Sequence, residues 1–486
     1  MTATKDPDQC LRAIGEFRRE VADTGPGDLD CGELERRLRE KLNAVGCAVM
    51  KEVLERADTK APQITINGKT WGNRRESKGT YGTTFGETVL LRSIYSQPGG
   101  GPVAVPINLR LGIHEGRYTP QMARVLTRAS ASMPEEEAEG FLKEVGVAMV
   151  STSTLHRVPR AIGARYETRR TQILEDLRES DEVPDAAVTV QASLDGVMVA
   201  QDGEHAGARG RPTETPNSPR HETHYAPPPT PGPAANDGAE GRSWHEACVG
   251  TLSFWDKDGE HLKTIYSARM PESGKGMLAD EVEDELNMAL ARRPDLHVVF
   301  AADGDAHQWS LLEGMALRLP ETVTGEVSYL LDFYHAAEYL HLAANAVEGK
   351  DSADARVLAA TWREMLKEHE DGPERVLKAM RYYRDRKTPT AHPEDLETAI
   401  DYLAKQANKG RMAYAAARAA NWPIGTGVAE AAAKTVVAVR MKRAGARFSQ
   451  HGGQTVMIFR TALLSGRFDQ LSECLKQSYT AVVKAA

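Results

Sequence analysis

Two apolar runs in this chain each stop at an aspartate. Val298-Val299-Phe300-Ala301 runs out at Asp303-Gly304, and residues 327–331 run out at Asp332, with His335 three positions on. A buried strand that delivers a carboxylate at its C-terminal end is how open α/β sheets present reactive groups. With a helical pattern over 308–317 between them, the two ends predict neighbouring parallel strands of one sheet. A site of hard oxygen ligands for a divalent metal asks for a further acid from another element. Asp195, in the strand-like VTVQASLDGVMVAQDG, and Glu430, in the helical PIGTGVAEAAAKTVVAVRMKRAG, are the candidates.

Each acid alone has a plainer reading. Asp-Gly is commonly a turn, Asp332 can cap a helix, His335 can be a satisfied cap histidine, and a single helical Glu commonly faces solvent. Joint placement gives the set its meaning. Three carboxylates can hold two Mg²⁺ ions about 3.5–4 Å apart, which stabilise the attacking and leaving oxygens of a phosphodiester displacement. Mg²⁺ keeps waters and substrate oxygens for its remaining positions, so three acids suffice.

The elements that must position these acids read as follows. Residues 1–60 have helical three-and-four spacing and predict an arm, and 61–115 alternate as a small β-element with a turn at 97–101. Over 116–182, two short helices, a turn at Gly146 and a third helix capped by Ser151 or Ser153 have a helix-turn-helix layout. That third helix carries His156, Arg157, Arg160, Arg165, Arg169 and Arg170, cations that can meet phosphates, although Pro159 falls among them. Residues 183–334 give three strands, the latter two joined by a hairpin turn at 256–259, and then alternating helices and strands. Within this region, 203–243 is rich in Pro, Gly, Ser and Thr and predicts a disordered loop at a hairpin tip. Residues 335–420 are all-α, and 421–486 return to the core with the Glu430 helix. Three antiparallel strands followed by parallel ones is the ribonuclease H-like order, so the fold class is α/β with a ribonuclease H-like core and an all-α insertion.

The bulk properties narrow the function. The chain has 486 residues, 41% hydrophobic and 27% charged, and a net charge of −8. Those are values of an ordinary globular protein, and the charge argues against coating nucleic acid with the whole surface. Cys10, Cys31, Cys47, Cys248 and Cys474 form no CxxC pair, so neither a disulfide framework nor a cysteine zinc site is supported. No stretch is long and apolar enough for a membrane span and no signal peptide is evident, which makes the cytoplasm the default expectation. Lys434, Arg440, Lys442, Arg443 and Arg447 follow Glu430 without an intervening acid, as DNA backbone contact would require. Trp309 and Trp422 lie near proposed acids, where core packing is the better expectation than base stacking.

The stretches SLDGVMV, WHEACVGTLSFWDKDG, VFAADGDAHQW, LLDFYHAAEYL and, above all, PIGTGVAEAAAKTVVAVRMKRAGARFSQHGGQ carry a resemblance covering about residues 81–468. The chain resembles the DDE transposases of bacterial insertion sequences, of the Kra type, whose catalytic domains are similar to those of mutator-like and hAT transposases. The resemblance implies that Asp195, Asp303 and Glu430 are catalytic and metal-binding. It also implies that Asp332 and His335 form a supporting D-x-x-H signature. Mg²⁺, with Mn²⁺ as a substitute, is the implied cofactor. The implied partners are DNA, as element ends and target, and at least one further copy of the chain to hold two ends. Where relatives carry a Cys-x-Cys-like zinc element, this chain has Gln97-Pro98-Gly99-Gly100-Gly101. A catalytically inactive DNA-binding descendant and a ribonuclease H-like nuclease without strand transfer stand as alternatives.

Overall fold

The structure, a computed structural model, describes residues 7–97, 101–147, 150–202, 242–272, 275–385, 392–443 and 446–486. The described residues fall into two compact units, one from 7–180 with 458–486 and the other from 181–202 with 242–457. Most of the expected 203–243 loop and positions 98–100 of the expected turn lie outside the described residues. Among the described residues, no helix is long and apolar enough to cross a membrane.

The first unit opens with α1 (Pro7–Asp23) and α2 (Cys31–Arg56), the latter started by Asp30, whose side chain accepts from the Glu33 backbone N–H. Strands β1 (Ile64–Ile66), β2 (Lys69–Thr83), β3 (Gly86–Ser96) and β4 (Val103–Ala104) follow. Then come α3 (Pro106–Leu111), α4 (Pro120–Ser132), α5 (Glu135–Glu144), α6 (Thr152–Thr168) and α7 (Arg170–Ser180). Ser151 caps α6 through the Thr154 N–H, and Gly146 sits at φ +71°, a left-handed conformation open to glycine. The helix runs through Pro159 because Leu155, Val158, Ile162 and Tyr166 on either side of it are buried. It stops at Arg169, so the long helix read from the sequence is two.

The second unit is built on strands β5 (Ala187–Asp202), β6 (Arg242–Asp256) and β7 (His261–Arg269), then α8 (Gly276–Arg292), β8 (His297–Ala302), α9 (Ala306–Leu317) and β9 (Val327–Leu331). Its sheet has the order β7-β6-β5-β8-β9. β5, β6 and β7 pair antiparallel, while β5, β8 and β9 run parallel. Every residue of β8 is buried, the condition that produces an unbroken apolar run. Its side chains alternate between two cores. Val298, Phe300 and Ala302 pack with α8 and α9, whereas Val299 and Ala301 pack with the helices that follow β9.

Those helices are α10 (Phe333–Glu348), α11 (Ala353–Glu368), α12 (Gly372–Asp385), α13 (Pro393–Asn408) and α14 (Tyr414–Ala419). After them, α15 (Gly427–Ala432) passes through a π-helical stretch, Ala433–Ala438, into α16 (Val439–Met441). The chain ends in α17 (Gln450–Leu464), α18 (Phe468–Tyr479) and β10 (Val483–Ala485).

The last segment corrects a sequence expectation. Residues 421–486 were expected to complete the acid-bearing core, but 458–486 belong to the first unit. Phe468, Leu471 and Leu475 share a core with Met122, Leu126, Leu155 and Ile162, and β10 adds to β1 with Ile64 opposite Ala485. The apolar stripe of α18 requires burial, yet its spacing does not say against which helices.

Candidate active site

Strand register brings two of the acids together. β5 and β8 pair in parallel with Ser193 opposite Ala301, so two residues further along each strand lie Asp195 and Asp303. Alternation puts both on the sheet face that carries Val299 and Ala301. Asp195 is half-buried, and its carboxylate accepts from the Gly196 N–H at 2.7 Å. Burial pushes its pKa up to about 6, opposed by that hydrogen bond, and the nearby charges of Asp303, Glu430 and Glu246 raise it further. Asp303 and Glu430 therefore each lie within electrostatic range of Asp195.

Asp303 leaves the end of β8 in a tight turn. Its Oδ1 accepts from the Asp305 N–H at 2.9 Å, and its carbonyl accepts from Trp309 Nε1 at 2.6 Å. Asp305 in turn caps α9 through the Gln308 N–H. Trp309 is fully buried, with the Arg411 guanidinium 3.8 Å above its ring, and Trp422 stacks on His297 at 3.5 Å. Both tryptophans are packing residues.

Asp332 does different work. It is buried and caps α10, its Oδ1 accepting from the His335 N–H at 2.8 Å. Its Oδ2 accepts from both the backbone N–H and, at 2.6 Å, the hydroxyl of Thr426. Gln191 Nε2 donates to the Gly425 carbonyl at 3.0 Å, and the Phe333 N–H donates to that of Ile424 at 3.0 Å. These bonds fasten residues 424–426 to the sheet after the whole helical insertion has intervened. Thr426 then starts α15, where the Glu430 N–H donates to its carbonyl. His335 sits beside Glu338 at 3.3 Å, with its ring edge-on to Tyr339 and Tyr402.

Glu430 is exposed and paired with Lys434 at 2.7 Å, one turn along. The helix widens to π geometry three residues after it, a feature that recurs at functional sites. Among the described residues, no three His, Cys, Asp or Glu side chains are placed to share a metal ion. The donor set is nevertheless that of a hard cation: carboxylate oxygens, with the charges of Asp303 and Glu430 both felt at Asp195.

Two members of this neighbourhood were missed in the sequence. Glu246 on β6 contributes to the field on Asp195, and its Oε2 pairs with Lys275 Nζ at 3.0 Å. A Cβ on Gly196 would fall 1.8 Å from Glu246 Oε1, so the Asp195-Gly196 pair is a strand position cleared for Glu246, not a turn. Lys275 is buried at φ +52°, a left-handed conformation uncommon for lysine. Only the alternation of WHEACVG hinted at Glu246, and nothing in the sequence marked Lys275.

The basic residues divide. Lys442, Arg443 and Arg447 are exposed, beyond the end of α16 instead of on the helix. Arg440 is a correction: at 2% exposure its guanidinium is a core group near the Phe448 ring and cannot meet a phosphate. In the first unit, Arg157 is exposed and donates to the Tyr118 hydroxyl at 3.2 Å, and Arg160 is half-buried, its pKa lowered by that burial. Arg165 is turned inward, bonded to Ser478 and lying over the Tyr479 ring.

The chain is a mixed α/β protein in which Asp195 and Asp303 come from adjacent inner strands of a five-stranded sheet. No protein-family model matches it, and no curated protein does. Among solved structures it is similar to the Drosophila P element transposase strand transfer complex, with a TM-score of 0.25 and 13% identity over 74% of this chain and 84% of that one. It is also similar to the Mos1 transposase paired-end complex with left transposon end, with a TM-score of 0.15 and 15% identity over 61% and 80%. Likenesses this distant carry no argument.

Proposed function

We propose that the chain is a DNA transposase of the DDE type, with a ribonuclease H-like core, related to the Kra-type transposases of bacterial insertion sequences. The observation that carries this reading is the register of β5 and β8, which sets Asp195 beside Asp303, together with the field that both Asp303 and Glu430 exert on Asp195. Asp195, Asp303 and Glu430 are the residues that would hold Mg²⁺, or Mn²⁺ in its place. Bound there, the metal would activate water and neutralise charge at the scissile phosphate. In cleavage, water oxygen bonds to phosphorus and the 3′-oxygen leaves as a hydroxyl. In strand transfer, the oxygen of that 3′-hydroxyl gives up its proton and bonds to a target phosphorus, whose bond to the target strand's 3′-oxygen breaks, that oxygen leaving as a hydroxyl.

The residues divide the remaining work. Asp332 holds Thr426, and so fixes where the Glu430 helix begins. Glu430 must exchange Lys434 for the cation, a small cost for an exposed pair. Lys434, Lys442, Arg443 and Arg447, and in the first unit Arg157 and Arg160, are the proposed DNA backbone contacts. Two element ends require at least two copies of the chain.

A second reading, a transposase-derived DNA-binding protein without catalysis, is favoured by the Glu430–Lys434 pair and by the lack, among the described residues, of a preassembled three-ligand group. Labelled DNA carrying the sequence that flanks the gene separates the two readings. Mg²⁺-dependent nicking at the element end by the native protein, lost in Asp303→Ala, supports the transposase. Specific binding without cleavage in either Mg²⁺ or Mn²⁺ supports the second reading.

A further inference from the structure

Tyr402 comes from α13, far along the chain from the strands, yet it lies directly against the turn that carries Asp303. A Cβ built on Gly304 would be 2.3 Å from the Tyr402 hydroxyl and 2.8 Å from its Cε2, so the glycine is what lets the ring approach. The ring is held from behind by a parallel stack on Tyr339, with centroids 3.8 Å apart and planes 8° apart, and His335 meets it edge-on at 5.8 Å. The stacked Tyr339 and the edge-on His335 therefore leave Tyr402 little freedom to swing.

Its hydroxyl is buried and makes no hydrogen bond of normal geometry among the described residues, the Gln406 side chain one turn along α13 being the polar group that acts on it most directly. A buried donor left unmade costs stability, and such groups persist where function needs them. The charge of Asp303 is among those that raise the Tyr402 pKa, which places the carboxylate within electrostatic range of the hydroxyl. For that hydroxyl to donate to Asp303, the carboxylate has to turn away from its bond to the Asp305 N–H.

We infer that Tyr402 is a positioning residue for Asp303, donating a hydrogen bond to its carboxylate in the metal-bound state and so making the helical insertion part of the active site. The inference rests on the proposed metal-acid reading. Partners of this kind fix the orientation of a ligating carboxylate, and removing one typically weakens metal binding about 10–100-fold. His335, which packs on the same ring, belongs to the same support.

The test compares the full-length native protein with Tyr402→Phe, Gly304→Ala and Asp303→Ala. Thermal melts are recorded without metal and across a Mn²⁺ titration, together with the dissociation constant for end DNA. Tyr402→Phe keeps the stack and removes only the hydroxyl. The expected result is a metal-free Tm equal to or above native, unchanged DNA affinity, and a Mn²⁺-induced rise in Tm that needs roughly tenfold more metal. Gly304→Ala, which displaces the ring, should weaken the metal response in the same direction. A Tyr402→Phe protein with native Mn²⁺ dependence overturns the inference, as does a lowered metal-free Tm, because the hydroxyl would then be bonded already. If the native protein shows no Mn²⁺ response that Asp303→Ala abolishes, the metal-acid reading itself has failed. If that control holds and Tyr402→Phe behaves as native, only the inference fails.

Discussion

Asp303 and Asp332 stand at equivalent places in the sequence and at very different places in the chemistry. Each ends an apolar strand, each precedes a helix, and the two strands are hydrogen-bonded neighbours. Yet Asp332 is buried with three donors on its carboxylate, whereas Asp303 is part-exposed and accepts one backbone N–H. A carboxylate saturated by the protein is a structural joint, since little of its lone-pair capacity remains for a cation. One left nearly open among other acids is available to bind one. The difference teaches that two strand-end acids in like sequence settings are told apart by how many donors the fold brings to each.

Exchanging the two roles by mutation is the sharpest way to break the comparison. Asp303→Ala should lower end cleavage by three orders of magnitude or more, as removal of a member of a catalytic unit does, and change stability by about 1 kcal/mol or less. Gel assays of strand cleavage beside urea melts check both halves. Asp332→Ala should do the reverse in stability, costing about 2–4 kcal/mol by losing a helix cap and stranding the Thr426 donors. Equal destabilisation by the two substitutions would erase the distinction.

Arg440 and Lys442 repeat the contrast with cations. Lys442→Ala should make the salt dependence of DNA binding shallower by about one in log–log slope, while Arg440→Ala should leave that slope unchanged and lower the Tm. Filter binding across a salt series, with melts alongside, reads both.

Asp195 supplies a pH test of the open site. Its folded pKa, raised to about 6, lies above the unfolded value near 3.8, so the folded state binds the proton more tightly. The stabilisation this gives is fully present below about pH 3.8 and is lost as pH rises through about 6. In the absence of metal, Asp195→Asn should therefore melt higher than the native protein at pH 7–8, with the gap closing toward pH 4. The smallest effect expected is that of Lys434→Ala, whose ion pair with Glu430 is exposed on both sides. Its effect on stability should stay within about 0.5 kcal/mol in urea melts.

The sequence by itself determined the local elements. The unbroken run at 298–301 is legible as a buried strand because only a strand covered on both faces tolerates apolar residues in succession. A serine cap at 151 or 153 was legible because a serine hydroxyl can satisfy a free N–H at a helix start, and the fold uses Ser151. Tertiary structure decided the rest, because it depends on which distant surfaces meet. The alternative readings of Asp332 as cap or as functional acid were both open in the sequence, and Thr426, far along the chain, decided what binds it. Arg440 looked like its basic neighbours until packing buried it, since charge type is local and burial is not. Lys275 and Tyr402 carried no local signal and Glu246 only the alternation of its strand, for what they meet is decided by sheet register and helix docking. The apolar stripe of α18 likewise needs a cover, and only the fold chose which helices supply it.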